Sequence, residues 1–174
     1  MSVERPNSVI FANHPMTLVG PELKAGDLAP DAQCIGPDLN PLHVLSALPA
    51  KIKIISSVPS LDTGVCSAQT HRFEEEVAKL GGQVGLVTLS MDLPFAQGRF
   101  CSGAPKEHTI FLSDYRTASF GLAYGTLIKE VRLLSRAVFV VGPFGRILYA
   151  QYVKETGTHP DYEAVLKVVQ PALG

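Results

Sequence analysis

Residues 51–66 read KIKIISSVPSLDTGVC, and the passage carries a strand, a stop and a helix start in sixteen positions. Residues 51–58 alternate and are rich in isoleucine, which predicts a strand. Pro59 ends it. Thr63 is placed as the N-cap of a helix over 65–80, in which Cys66, Phe73, Val77 and Leu80 share one face and Glu74, Glu75 and Glu76 lie mainly elsewhere. Gly81 and Gly82 stop that helix. Cys66 therefore falls in a first helical turn, where unpaired backbone N–H groups and the helix dipole favour an anion. A thiol in such a seat is expected to ionise below its usual pKa of ~8.5, and the thiolate is the nucleophilic form. Pro59 has no N–H and can shield one side of the sulfur from water. A buried structural cysteine on an amphipathic helix fits the same local pattern, so these residues alone leave both readings open.

Working outward, 84–89 (VGLVTL) is apolar enough for a strand buried on both faces. A short helix opening on Pro94 is predicted over 94–101, a strand over 109–112 and a short helix over 117–124 ended by Gly125. Residues 137–141 (AVFVV) and 146–153 (RILYAQYV) flank the turn GPFG and read as a hairpin, and 162–169 has the spacing of a final amphipathic helix started by Pro160 and Asp161. Upstream, 8–19 reads as two short strands around an Asn13-His14-Pro15 turn, 31–35 as a short strand, and 38–48 is ambiguous. The order is β-β, then β-α-β-α-β-α-β-β-α. It predicts an α/β, thioredoxin-like fold with an N-terminal β-hairpin extension, in one domain spanning 1–174.

With 174 residues the chain can bury roughly 70% of its unfolded surface without staples. Fifteen Lys and Arg stand against 16 Asp and Glu, a net charge of −1. That balance excludes nucleic acid or an anionic membrane as the main partner, because both select basic patches. No window approaches the ~18 apolar residues of a membrane span. The start MSVERPNSVI shows no export signal, which makes the cytoplasm the expected compartment. Three cysteines, Cys34, Cys66 and Cys101, are too few for a disulfide scaffold.

Residues 91–101 (MDLPFAQGRFC) place a second thiol 35 positions after Cys66, beyond the next parallel strand. The C-terminal ends of parallel strands face one crevice, so Cys66 and Cys101 are expected at the same end of the sheet. Pro59-x3-Thr63-x2-Cys66 together with DLPFAQGRFC resembles the thiol peroxidase branch of the atypical two-cysteine peroxiredoxins. The likeness extends over SRAVFVV (135–141) and PDYEAVL (160–166). The resemblance implies that Cys66 is the peroxidatic cysteine, Cys101 the resolving cysteine, and Thr63 and Pro59 parts of the active-site loop. It also implies that the Thr63 hydroxyl hydrogen-bonds the thiolate and the peroxide oxygen, and that Arg136 steadies the thiolate and polarises the peroxide. Implied with these are a hydroperoxide substrate, a Cys66–Cys101 disulfide, recycling by thioredoxin or a similar dithiol, a homodimer, and no metal, haem or flavin cofactor. Leu61, Val65 and Phe95 are compatible with organic hydroperoxides. Cys34 reads as a buried bystander.

Three rival readings can be weighed on the residues. A cysteine hydrolase needs a histidine base, but His71 lies five residues after Cys66, a rotation of ~500° that carries it off the sulfur, and His108 reads as a loop residue. A redox sensor without turnover would begin with the same chemistry. A metal site is disfavoured, since no C-x-x-C or H-x3-H spacing exists.

Overall fold

The structure is a computed structural model that describes residues 3–101 and 107–174. Its frame is a seven-stranded sheet in the order β10-β9-β5-β6-β7-β3-β4. The strands are β3 (Gln33–Ile35), β4 (Pro41–His43), β5 (Ile52–Ser57), β6 (Val84–Ser90), β7 (Thr109–Ser113), β9 (Ala137–Val141) and β10 (Ile147–Tyr152). Strands β5, β6 and β7 run parallel, while β9 is antiparallel to β5 and β10 to β9. All seven residues of β6 are buried, as a strand covered on both faces requires.

Successive side chains leave a strand on opposite faces, so neighbouring isoleucines of β5 serve two cores. Ile52 and Ile54 pack with Leu86 and Val138 under Phe73 and Val77 of α1 (Gly64–Leu80) and Val165 and Val169 of α4 (Tyr162–Ala172). Ile55, Val87 and Phe139 face the other way, against Phe120 of α3 (Ser119–Ala123) and Tyr124. The Asp161 carboxylate caps α4 by accepting from the N–H of Ala164 at 2.9 Å. The α/β, thioredoxin-like reading is borne out, hairpin included.

One expectation needs correction, and the fold adds two features that local pattern did not carry. The N-terminal hairpin, β1 (Glu4–Phe11) and β2 (His14–Val19), turns at Ala12 and Asn13 rather than at Asn13-His14-Pro15. Both turn residues have positive φ, 48° and 66°, as a two-residue hairpin turn needs, and Pro15 pairs with Ile10 inside β2. A two-residue strand, β8 (Leu127–Ile128), joins β2 to complete a separate three-stranded sheet, and local pattern did not announce it. Glu74, off the apolar face by periodicity, is nonetheless buried, while Glu75 is exposed.

Register decides what meets at the site. β5 ends at Ser57 and β6 at Ser90, so the two cysteine-bearing segments leave the same edge of the sheet. Antiparallel β9 begins there, with Ala137 opposite Ser57, and that places Arg136 beside the Cys66 loop. Tyr152 of β10 lies opposite Ala137, bringing the residues after β10 to the same edge. The hairpin docks on them: Ile10 N–H donates to the Lys154 carbonyl at 2.7 Å, and Thr156 N–H to the Ile10 carbonyl at 3.0 Å.

Candidate active site

Cys66 is the third residue of α1 and only 1% exposed. Thr63 holds the N-cap position with extended backbone, but its side chain makes no cap bond. Its hydroxyl instead donates to the Ser60 carbonyl at 3.1 Å, closing the active-site loop on itself. A further tie to that loop comes from Asp92, whose carboxylate accepts from Ser60 Oγ at 2.7 Å and from the Leu61 N–H at 2.8 Å. Asp92 is in turn held by Ser113 Oγ, which donates to its carbonyl at 2.5 Å.

Arg136 is 1% exposed, and among the described residues its guanidinium meets no carboxylate. Nη2 points at Cys66 Sγ, 3.3 Å away, and also donates to the Thr156 carbonyl at 2.8 Å. Nε donates to that same carbonyl at 3.1 Å, and Nη1 to Gln69 Oε1 at 2.6 Å. Gln69 is fully buried and fixed from behind, its Nε2 donating to Ser56 Oγ at 2.7 Å. A buried cation is costly unless an anion or several acceptors surround it. Here three fixed oxygen contacts aim it, and the sulfur is the group it faces that can ionise.

A cleft of about 380 Å³ opens over this arrangement, lined by Pro59, Thr63, Gly64, Val65, Cys66 and Arg136 on one side. Phe11, Ala12 and Asn13 of the hairpin turn line the other, with Glu155, Thr156 and Gly157. Of the three apolar neighbours expected from sequence, only Val65 lines it. Leu61 is buried in the cluster beneath Cys66, and Phe95 is 65% exposed at the surface. Phe11 supplies apolar wall in their place. Among the described residues no histidine lines the cleft, and His71 is turned to Glu74 and Phe100.

Cys101 caps the C-terminal end of α2 (Pro94–Phe100) and is half-buried. With Phe100 it packs on the cluster of Val58, Leu61, Cys66 and Phe111. Among the described residues the cysteines are not joined by a disulfide. Cys34 lies elsewhere, buried on β3 with its Sγ 3.5 Å from Asp114 Oδ1. Burial, reinforced by the Asp114 charge, pushes its thiol pKa well up, which suits an inert group.

Pro59, Thr63, Cys66 and Arg136 thus meet around one cleft, with Cys101 in the cluster below. Sequence reasoning missed Gln69, Asp92, Thr156 and the hairpin turn. Gln69 had a signal, since it stands three residues after Cys66 on the same helix face.

Residues 24–166 match the Redoxin family model. The chain is 52% identical over 160 residues to a thiol peroxidase of Oceanobacillus iheyensis, covering 92% of this chain and 96% of that protein. The chain belongs to the thiol peroxidase family of redoxins. Another relative, the thiol peroxidase of Bacillus subtilis, is 48% identical over 162 residues, covering 93% of this chain and 96% of its own length. Among solved structures, a peroxiredoxin-like protein from Aquifex aeolicus superposes with a TM-score of 0.85 at 39% identity, covering 95% of this chain and 97% of the other. A thiol peroxidase from Chromobacterium violaceum reaches 0.80 at 20% identity, covering 95% and 96%, and shares the fold. The chain is accordingly a peroxiredoxin-type enzyme, a thiol-dependent peroxidase. Among the described residues no helix is long and apolar enough to cross a membrane.

Proposed function

We propose that this peroxidase reduces hydrogen peroxide and organic hydroperoxides through Cys66 and restores itself through Cys101. The observation that carries the reading is the Arg136 Nη2 to Cys66 Sγ distance of 3.3 Å, at a helix start opening into the cleft. The Cys66 thiolate attacks the terminal oxygen of ROOH. A sulfur–oxygen bond forms, the O–O bond breaks, and RO⁻ leaves to take up a proton as ROH. Arg136 and the N–H groups at the start of α1 stabilise charge that grows as the O–O bond lengthens. Gln69 and the Thr156 carbonyl hold the guanidinium in that aim. Thr63 stands at the cleft wall, where its hydroxyl can turn from Ser60 toward the peroxide, and Pro59 excludes water.

The product is a Cys66 sulfenic acid. Cys101 condenses with it: the S–S bond forms, the S–O bond breaks, and the hydroxyl leaves with the Cys101 proton as water. A disulfide needs Cα atoms within roughly 7 Å, and in this reading the helix ends that carry Cys66 and Cys101 unwind locally to bring them into that geometry. A dithiol protein of the thioredoxin type reopens the bridge by thiol exchange. The same reading sets the enzyme in the cytoplasm as a homodimer in which the whole chain acts as one domain, supported by its likeness to bacterial thiol peroxidases.

The test is one equivalent of hydroperoxide on reduced protein, followed by disulfide mapping by mass spectrometry. A Cys66–Cys101 bridge is expected in wild type and in Cys34→Ser, and neither in Cys66→Ser nor in Cys101→Ser. Turnover with excess dithiol is expected only where both cysteines remain. A bridge that uses Cys34 would overturn the assignment.

A further inference from the structure

Helix α2 leads directly into Cys101. Its first turn is pinned: Pro94 and Gln97 are buried, and Gln97 Nε2 donates to Ser90 Oγ and to the Leu112 carbonyl, both at 3.0 Å. Gly98 and Arg99 are exposed, and a side chain added at Gly98 would meet nothing within 4 Å. Glycine is also a poor helix former. Phe100 turns inward, and its ring stacks on His71 of α1 with centroids 5.3 Å apart and planes 21° apart. Phe111 tilts against its other side at 5.8 Å. His71 is held in register by Nδ1, 3.1 Å from Glu74 Oε2, although its side chain is 54% exposed. Cys101 follows directly on Phe100.

We propose that His71 is a positioning residue for the resolving step. Its stack with Phe100 is a catch that keeps Cys101 docked, and Gln97 is the stop beyond which α2 unwinds. The proposal rests on the Cys66–Cys101 reading and goes beyond it by naming what sets the speed of the second step. While the catch is shut, the Cys66 sulfenic acid persists. A second ROOH can then transfer an oxygen to that sulfur, giving the sulfinic acid and ROH. When the catch opens, Cys101 reaches the sulfenic acid first and water leaves. Wild type therefore trades fast resolution for an ordered active site, and a weakened catch shifts the balance toward the disulfide.

His71→Ala removes the stack, whereas His71→Phe keeps a flat ring on Phe100 without the bond to Glu74. Reduced proteins are mixed with one equivalent of hydroperoxide, or with a rising excess of it, and quenched with an alkylating agent. The bridged and sulfinic forms are then counted by mass spectrometry over time and over peroxide dose. The bridge is expected to form about three- to tenfold faster in His71→Ala, the range an aromatic pair is worth. Sulfinic acid should then need correspondingly more peroxide, and His71→Phe should return both to the wild-type values. Bridge formation at the wild-type rate in His71→Ala, or at the alanine rate in His71→Phe, overturns the catch alone. A wild type that forms no bridge overturns the two-cysteine reading and the catch with it.

Discussion

Replacing Arg136 while keeping its charge isolates what its forked geometry contributes. The guanidinium spans the Cys66 sulfur at 3.3 Å, Gln69 Oε1 at 2.6 Å and the Thr156 carbonyl at 2.8 and 3.1 Å. A lysine ammonium is a point charge and cannot hold all three partners from one position. The contact to sulfur is a charge-assisted hydrogen bond, worth ~1.5–3 kcal/mol. At ~1.36 kcal/mol per decade, its loss slows the first oxidation of Cys66 roughly ten- to a hundredfold. Arg136→Met goes further, because Gln69 Oε1 and the Thr156 carbonyl lose their buried donors at ~1–3 kcal/mol each. That variant should lower the urea midpoint as well as the rate. The assay is stopped-flow oxidation by excess hydroperoxide in a Cys101→Ser background, which removes the second step from the signal. If Arg136→Lys oxidises within twofold of the parent, the guanidinium does not act on the sulfur and the geometry has been misread.

Two further perturbations probe the supports of the site. Asp92→Ala removes the acceptors of Ser60 Oγ and the Leu61 N–H. It should cost ~1–3 kcal/mol in urea unfolding and slow Cys66 oxidation, because the loop that carries Pro59 and Thr63 loses its tie to β7; unchanged kinetics would separate Asp92 from the site. Asp114 accepts from the N–H groups of Phe120 and Gly121, and burial holds its carboxyl above the usual carboxylate range. A raised folded-state pKa means stability that is present below the unfolded value of ~3.9 and lost as pH climbs through the folded one. Asn at this position does not titrate, so the stability deficit of Asp114→Asn should shrink between about pH 3.5 and pH 7. A constant deficit across that window would show that burial does not disfavour the charged carboxyl.

The hairpin turn shows how local signals mislead. Asn13-His14-Pro15 carries the strongest turn residues in the N-terminal stretch, yet the reversal takes Ala12 and Asn13 at positive φ and leaves Pro15 inside a strand. Pairing across the whole hairpin outweighs the preference of one proline. β8 was invisible for a related reason: two residues have no period, and they become a strand only because Leu18 and Val19 lie opposite them. Glu74 stands off the apolar face of its helix by periodicity, yet it is buried in the folded chain, where His71 meets both Glu74 and Phe100.

Residues 51–66 by themselves determined the strand, its stop and a cysteine in a first helical turn, because those features depend on neighbours a few positions apart. The same holds for the fully buried β6 and for the proline that opens α2. Which side chains would surround the sulfur was decided only by the tertiary structure. Arg136 reaches Cys66 because antiparallel β9 sets Ala137 opposite Ser57, and Thr156 reaches Arg136 because β10 returns to the same edge. The cleft's far wall comes from a hairpin more than fifty residues upstream of the cysteine. Strand register converts distance along the chain into contact, and no window of sequence contains it.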